Sequence, residues 1–169
     1  MGNRRLRGRG DEQVYIVIVG CGAMGARLAN LLSSTEHDVV VIDENPQAFS
    51  NLGATFNGVT VTGTGIDVEV LRKAGIEHAD ALAAVTSDDN TNIMVAQIAR
   101  TIFKVPRVIA RIFDPERESA YHELGLDTVC PTSVGVNEIC NALVFNMFHR
   151  VANLGAGEVQ VVQVRVSAG

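Results

Sequence analysis

The stretch that decides the fold runs from Tyr15 to Leu32 and reads YIVIVGCGAMGARLANLL. Its first five residues, Tyr15–Val19, are apolar on consecutive positions, which predicts a strand covered on both faces. The apolar stretch Ala26–Leu32 predicts a helix. Three glycines separate the two elements: Gly20, Gly22 and Gly25. A strand, glycines at this spacing and a helix together predict the phosphate-binding turn of a dinucleotide-binding fold.

Each glycine of this turn has an expected task. Gly20 permits the tight turn, Gly22 lets the backbone approach a pyrophosphate, and Gly25 lets the helix pack close to the strand. The N-terminus of the helix then directs free N–H groups and a partial positive charge at the phosphates.

Asp43 supplies the second half of the pattern, because it ends the second predicted strand roughly 20 residues after the glycines. A carboxylate at this place accepts hydrogen bonds from the ribose hydroxyls of adenosine and repels a 2′-phosphate. No arginine lies just beyond Asp43 to reverse that preference. The expected ligand is therefore NAD(H) or an adenine nucleotide (AMP, ADP or ATP), and NADP is disfavoured.

The rest of the chain alternates short β-branched runs with amphipathic stretches of helical length. Six strands are predicted, at Tyr15–Val19, Val39–Ile42, Val59–Thr62, Ala81–Val85, Arg107–Ile112 and Thr128–Cys130. Helices are predicted between them, at Ala26–Leu32, Pro46–Leu52, Asp67–Ala74, 88–103 and 115–125. This alternation predicts an α/β fold, a doubly wound parallel six-stranded sheet of Rossmann type with strand order 3-2-1-4-5-6.

The two ends of the chain have different patterns. Residues 1–13 are rich in arginine and glycine and predict a disordered basic leader, so the nucleotide-binding domain spans 14–133. Residues 134–151 predict a very apolar helix, which we expect to be buried against a second subunit, with an ordinary core helix as the alternative. Residues 155–169 predict a strand without a partner, as the first strand of a truncated C-terminal domain or one that pairs with another subunit.

Composition excludes several classes of function. The formal charge of −5 and the aromatic content of 5% argue against nucleic acid as a partner. No apolar run approaches the roughly 18 residues of a membrane span, and no signal peptide is recognisable, so a cytoplasmic location is expected. The three cysteines form no CxxC pair and the four histidines have no metal-ligand spacing, so no metal site is expected.

Catalysis is not predicted. Hydride transfer needs a substrate pocket with a general acid or base, and the residues after the sixth strand are too few for a substrate domain. The pattern therefore favours a sensor that binds a nucleotide without reacting it. A fragment of an NAD-dependent oxidoreductase remains the alternative.

Several further blocks of sequence resemble one family. They are Thr62–Gly65, Leu71–Ile76, Ala79–Ala81, Val85–Asn92, Ile109–Arg111 and Gly125–Val129. Together they resemble the RCK/KTN (TrkA-N) domain, the regulatory nucleotide-binding module of potassium transporters and channels. The resemblance covers about residues 14 to 151.

The resemblance implies a function, a set of partners and a set of ligand contacts. It implies a cytoplasmic regulatory subunit at the inner face of the membrane, assembled as a homodimer and then a ring beneath a membrane-embedded potassium transporter or channel, with nucleotide binding controlling potassium transport. It also implies the following ligand contacts: Gly20, Gly22, Ala23, Met24 and Gly25 for phosphates, Asp43, Glu44 and Asn45 for the ribose, Gly63, Thr64 and Gly65 near the adenine, and Thr86, Asp88, Asn92 and Arg111 on the far side.

Two positions depart from the family's pattern. Many members carry arginine at the place of Ala23, where it reaches terminal phosphates, and Arg27 is the residue here that could replace it. NAD(H), ADP or AMP are therefore favoured over ATP. Thr64 stands where the family often has aspartate, so the backbone is expected to make the contact to the adenine.

Overall fold

The computed structural model describes residues 13–35, 37–123, 125–144, 148–154 and 159–164. These residues fall into two compact units that divide after Cys130. The predicted leader lies outside the described residues except for Gln13.

The first unit is built on a sheet of six parallel strands. They are β1 (Tyr15–Val19), β2 (Asp38–Asp43), β3 (Val59–Thr62), β4 (Ala81–Ala84), β5 (Arg107–Arg111) and β6 (Asp127–Val129). The strand order is β3-β2-β1-β4-β5-β6, which confirms the predicted Rossmann arrangement. Each strand lies within two residues of its predicted bounds. The buried strands β1 and β2 leave a clear record in the sequence as consecutive apolar residues.

Four helices of the first unit connect these strands. They are α1 (Ala23–Ser33), α2 (Val68–Lys73), α3 (Asp89–Thr101) and α4 (Pro115–Glu123). The helix predicted at Pro46–Leu52 is instead a 3₁₀ helix, Pro46–Asn51. It is only six residues long, and such short stretches are where 3₁₀ hydrogen bonding is most common.

Local residues define both ends of α2. Asp67 caps α2 by accepting a hydrogen bond from the backbone N–H of Glu69 at 2.8 Å. Gly75 follows α2 with φ +72°, a left-handed conformation that glycine adopts without strain. These two residues fix where α2 begins and where the chain turns back towards β4.

The core lies on both faces of the sheet. Val17 of β1 points to the face covered by α2 and α3, and Ile18 points to the face covered by α1. Both side chains are fully buried. This double burial holds β1 at the centre of the sheet, and it places the turn after β1 between the two sets of helices.

The second unit differs from the sequence-based expectation. It contains α5 (Pro131–Val144) and an antiparallel pair, β7 (Phe148–Leu154) and β8 (Val159–Val164). The helix expected over 134–151 therefore begins earlier, and residues 148–151 belong to a strand. The apolar positions in 148–151 fit a strand as well as a helix, so periodicity alone could not separate the two.

The strand expected within 155–169 is present as β8, but it has a partner in its own chain. β8 pairs with β7, which contradicts the expectation that it would lack one. The pairing has a register irregularity between Arg150 and Ala152, opposite Val161 and Val162, so the extra residue, Val151, lies on β7. No described helix combines the length and the apolar content that a membrane crossing requires.

Candidate functional site

The predicted site residues of the first unit converge on one edge of the sheet. They lie at or directly after the carboxyl ends of five strands: 20–25 after β1, 43–45 at β2, 63–65 after β3, 86–92 after β4 and Arg111 at β5. β1 is flanked by β2 on one side and β4 on the other. The chain therefore reverses its winding between β1 and β4, and ligands of such sheets bind in the crevice at this point.

Two glycines of the turn after β1 are required by the fold itself. Gly20 has φ +103°, and a Cβ added there would lie 2.8 Å from the backbone nitrogen of Thr86. A Cβ on Gly25 would lie 1.8 Å from the carbonyl oxygen of Gly20. The tasks expected of these two glycines, a tight turn and close packing of the helix, agree with this geometry.

Gly22 is different, because no contact with the described residues requires a glycine there. Its backbone is extended, with φ −70°, and an added Cβ would meet no atom within 4 Å. The space beside Gly22 is open, which is the condition for a phosphate group to approach the backbone. The residues present therefore fit a bound nucleotide.

The start of α1 leaves its N–H groups available. Gly22 is the N-cap and has no side chain to accept a hydrogen bond, and the first turn of α1 contains no acidic residue. α2 and α3, by contrast, are capped by Asp67 and Asp88. Because the first N–H groups of a helix have no acceptor within the helix, those of α1 suit an anion.

Asp43 connects the glycine turn to the end of β2. Its Oδ2 accepts a hydrogen bond from the backbone N–H of Cys21 at 2.6 Å, and its Oδ1 accepts one from that of Asn45 at 2.9 Å. A carboxylate offers about four acceptor positions, so two remain for ribose hydroxyls. Burial, and then the charge of Asp43, raise the pKa of the Cys21 thiol, so this thiol stays protonated at neutral pH.

The predicted residues that follow Asp43 are exposed. They are Glu44 and Asn45, and the Asn45 side chain accepts a hydrogen bond from the N–H of Gln47 at 3.0 Å.

Close packing requires glycine at positions 63 and 65. A Cβ on Gly65 would lie 2.4 Å from Val19 Cγ1, and one on Gly63 would lie 2.6 Å from Val70 Cγ2. Thr64 between them is half-buried. Ala23 and Met24, the first two residues of α1, are both exposed.

Asn92 of α3 is fully buried and joins the ends of β4 and β5. Its Oδ1 accepts hydrogen bonds from the N–H and the hydroxyl of Thr86, both at 2.8 Å. Its Nδ2 donates to the carbonyl oxygens of Thr86 at 3.1 Å and Arg111 at 2.9 Å. All four positions of the amide are used, so the geometry supports a positioning role rather than the direct ligand contact that the resemblance implies.

Two neighbouring aspartates at the start of α3 have separate tasks. Asp88 is exposed and caps the helix through the N–H of Thr91 at 2.7 Å, and hydrogen bonds from Thr91 lower its pKa. Asp89 is buried and accepts hydrogen bonds from the N–H groups of Phe113 at 2.8 Å and Asp114 at 3.3 Å. The sequence did not reveal this role of Asp89, because the loop it holds is 24 residues away along the chain.

Three cationic side chains near this edge differ in their surroundings. Arg27 of α1 is exposed. Arg117 of α4 donates to Asn90 and to Tyr121, both at 2.6 Å. Arg111 is half-buried, and its Nε is buried without a hydrogen-bond acceptor among the residues that the structure describes. Within the same described residues, no three His, Cys, Asp or Glu side chains lie close enough together to hold a metal ion.

Comparison with known proteins identifies a matching family model and several similar proteins. Residues 16–132 match the TrkA-N domain. The chain is 42% identical over 155 residues to the Trk system potassium uptake protein TrkA of Streptomyces coelicolor, covering 92% of this chain and 70% of that protein. Across four such curated relatives, the chain spans between 53% and 70% of their length.

Solved structures show the same similarity. GsuK bound to ADP is 29% identical with a TM-score of 0.67, covering 80% of this chain and 35% of that one. The GsuK channel bound to NAD is 25% identical with a TM-score of 0.59, covering 76% of this chain and 24% of that one.

Proposed function

The chain belongs to the TrkA-N domain family, and we propose that it is a nucleotide-sensing regulatory subunit that controls potassium transport through a membrane partner. The observation that carries the proposal is the glycine turn, where Gly22 and the uncapped start of α1 face open space beside the Asp43 carboxylate. The names of the curated relatives as potassium uptake proteins support the transport role. The alternative of an oxidoreductase fragment is not favoured by these relatives.

The ligand that we propose is NAD(H) or an adenine nucleotide. The start of α1 would hold phosphate, and the free acceptor positions of Asp43 would hold the ribose hydroxyls. Thr64 and the backbone beside it would lie near the adenine, and Thr86 and Asp88 would lie on the far side of the cleft. ADP and NAD are the ligands named for the two GsuK structures, which supports the same ligand class here.

Binding without reaction is part of the proposal. The described groups that would contact the ligand are backbone N–H groups, hydroxyls and carboxylates, which can hydrogen-bond a nucleotide, and the curated relatives are named as potassium uptake proteins. Ligand binding would act through differential affinity for two conformations of the assembly.

The proposed assembly is a homodimer that builds a larger ring at the cytoplasmic face of a potassium transporter or channel. Helix α5 exposes a set of large apolar side chains, and Leu143 among them is 77% exposed. The exposed set is Val134, Val136, Ile139, Leu143 and Val144. A helix with this much apolar surface gains stability when a second copy covers it.

Asp43→Ala tests the ligand contact. We expect the affinity for NAD and ADP to fall about 100-fold or more, because two hydrogen bonds to a charged group, each worth about 1.5 kcal/mol or more, are lost. The free energy of unfolding should also fall by about 1–3 kcal/mol, since Cys21 and Asn45 lose their acceptor. Calorimetric titration well below the unfolding midpoint separates the two effects.

Asp38→Ala is the matched control, because Asp38 is an exposed carboxylate at the opposite end of β2. It should bind as the wild type does. Wild-type affinity in Asp43→Ala would contradict the assignment of Asp43 to the ribose.

Potassium-limited growth tests the transport role. Cells that lack the gene for this chain should grow poorly at low external potassium, and the wild-type gene should restore growth. A gene carrying Asp43→Ala should restore it poorly, whereas Asp38→Ala should restore it fully. Normal potassium-limited growth of the deletion strain, in cells without a second copy of the system, would contradict the proposed function.

A further inference from the structure

The peptide that joins Cys21 to Gly22 lies in the glycine turn, and its orientation decides which group the turn presents to a ligand. It is a trans peptide, so the carbonyl oxygen of Cys21 and the N–H of Gly22 point in opposite directions. This N–H donates to no acceptor among the residues that the structure describes. The observed orientation therefore leaves a donor free for an anion, whereas the reverse orientation would present a carbonyl oxygen, which repels one.

The glycine at position 22 does not by itself hold this peptide in one orientation. Turning the peptide over would change φ of Gly22 from −70° to the positive range. Glycine adopts the two ranges about equally well, because it has no Cβ. The orientation of the peptide therefore depends on hydrogen bonds from outside the turn.

Two side chains from outside the turn hold it around this peptide. The Asp43 carboxylate accepts a hydrogen bond from the N–H of Cys21 at 2.6 Å, which fixes the preceding peptide. Nδ2 of Asn51 donates to the carbonyl oxygen of Cys21 at 3.0 Å. The bond from Asn51 acts on the Cys21–Gly22 peptide itself, because a carbonyl that faces Asn51 directs the N–H of Gly22 to the opposite side.

The segment that carries Asn51 is fixed from both sides. Asn51 is the last residue of the 3₁₀ helix Pro46–Asn51. The next residue, Leu52, packs against the core on the α1 face, and the N–H of Gly53 donates to Oδ1 of Asn30 in α1 at 3.0 Å. Asn51 itself is exposed. Its side chain is therefore held beside the glycine turn without being part of the core.

We infer that Asn51 is a positioning residue, which holds the Cys21–Gly22 peptide so that the N–H of Gly22 donates to a phosphate of the ligand. This inference rests on the proposed function, in which the start of α1 binds phosphate. Asn51 acts through the carbonyl oxygen of Cys21 and needs no contact with the ligand. Without this amide the peptide is free to turn over, and a fraction of the molecules presents a carbonyl oxygen to the phosphate.

The first test is calorimetric titration of the full chain with ADP and with adenosine, which has no phosphate. In Asn51→Ala we expect the affinity for ADP to fall about 3- to 10-fold, the effect of one hydrogen bond. The affinity for adenosine should change by less than about twofold. Asn51→Gln keeps the amide donor and should bind ADP more tightly than Asn51→Ala does. Asn57→Ala is the matched control, because Asn57 is exposed just before β3, at the opposite edge of the sheet, and it should bind ADP as the wild type does.

A spectroscopic readout separates positioning from a loss of stability. In ¹H–¹⁵N NMR spectra of the wild type, saturating ADP should shift the amide proton of Gly22 downfield, because that proton gains a charged acceptor. The shift should be smaller in Asn51→Ala at saturation. A purely structural role would weaken ADP and adenosine alike and would leave the shift at saturation unchanged. This readout also applies where adenosine binds too weakly to titrate.

Three results would overturn the inference: wild-type affinity for ADP in Asn51→Ala, an equal loss of affinity for ADP and adenosine, or an unchanged Gly22 shift at saturation. If Asn51→Ala does not fold, Asn51→Leu takes its place with the same expected results, since leucine has nearly the shape of asparagine and no donor. A wild type that binds neither ADP nor NAD would overturn the proposed function itself.

Discussion

Gly22→Asp is expected to abolish nucleotide binding and to leave the fold intact. A Cβ at this position meets no atom within 4 Å, and the extended backbone of Gly22 suits any residue. Aspartate is a better N-cap than glycine, so it would occupy the free N–H groups of α1 and place a negative charge where phosphate binds. Losing two or more charge-assisted bonds corresponds to a weakening of about 100-fold or more.

Two measurements on Gly22→Asp test this prediction. Titration with ADP and NAD should show no binding up to about 100 times the wild-type dissociation constant. The thermal midpoint without ligand should stay within a few degrees of the wild type. Gly135→Asp is the matched control, because it adds the same charge at another glycine whose Cβ would meet nothing. Binding of ADP by Gly22→Asp within threefold of the wild type would show that the turn does not hold the phosphate.

Gly25→Ala provides the opposite case. The Cβ of the alanine would lie 1.8 Å from the carbonyl oxygen of Gly20, so the substitution should destabilise the fold. The pair therefore separates a glycine kept for the ligand from a glycine kept for packing.

Asn92→Ala is expected to lower the free energy of unfolding by about 3–4 kcal/mol. The substitution removes the partner of four polar groups at once: the N–H, hydroxyl and carbonyl of Thr86 and the carbonyl of Arg111. Each unsatisfied buried group costs about 1–3 kcal/mol, and water entering the small space left by the side chain offsets part of the sum. Urea unfolding followed by circular dichroism measures the change.

Gln97→Ala is the control for Asn92→Ala, because Gln97 lies on the same helix with an exposed side chain. Its free energy of unfolding should stay within about 0.5 kcal/mol of the wild type. A loss below 1 kcal/mol in Asn92→Ala would mean that the four bonds contribute little, and the role of Asn92 in fixing Thr86 and Arg111 would be refuted.

The parts of the molecule that follow local rules could be predicted from the sequence. Tyr15–Val19 and the glycine spacing predicted β1, its turn and α1. The tasks of Gly20 and Gly25 also followed, because each depends on conformations and contacts that recur wherever a strand, a tight turn and a helix succeed one another.

The parts that depend on contacts between distant residues could not be predicted from the sequence. Asn92 makes four hydrogen bonds to Thr86 and Arg111, and Asp89 accepts one from the N–H of Phe113. These bonds join segments that only the folded sheet brings together. The strand β7 was missed for another reason, since the apolar residues of 148–151 fit two periods and the choice between them depends on pairing with β8.

The central claim is that the cleft binds an adenine-containing nucleotide. Thermal unfolding of the purified protein with NADH, NAD, NADPH, ATP, ADP and AMP in turn tests it most directly, because a ligand bound to the native state raises the midpoint. We expect NADH, NAD or ADP to raise the midpoint of the wild type and of Asp38→Ala. The same ligands should leave the midpoint of Gly22→Asp unchanged. NADPH should change the midpoint of none of these three proteins. If none of the six nucleotides raises the midpoint of the wild type, the glycine turn is purely structural and the claim is wrong.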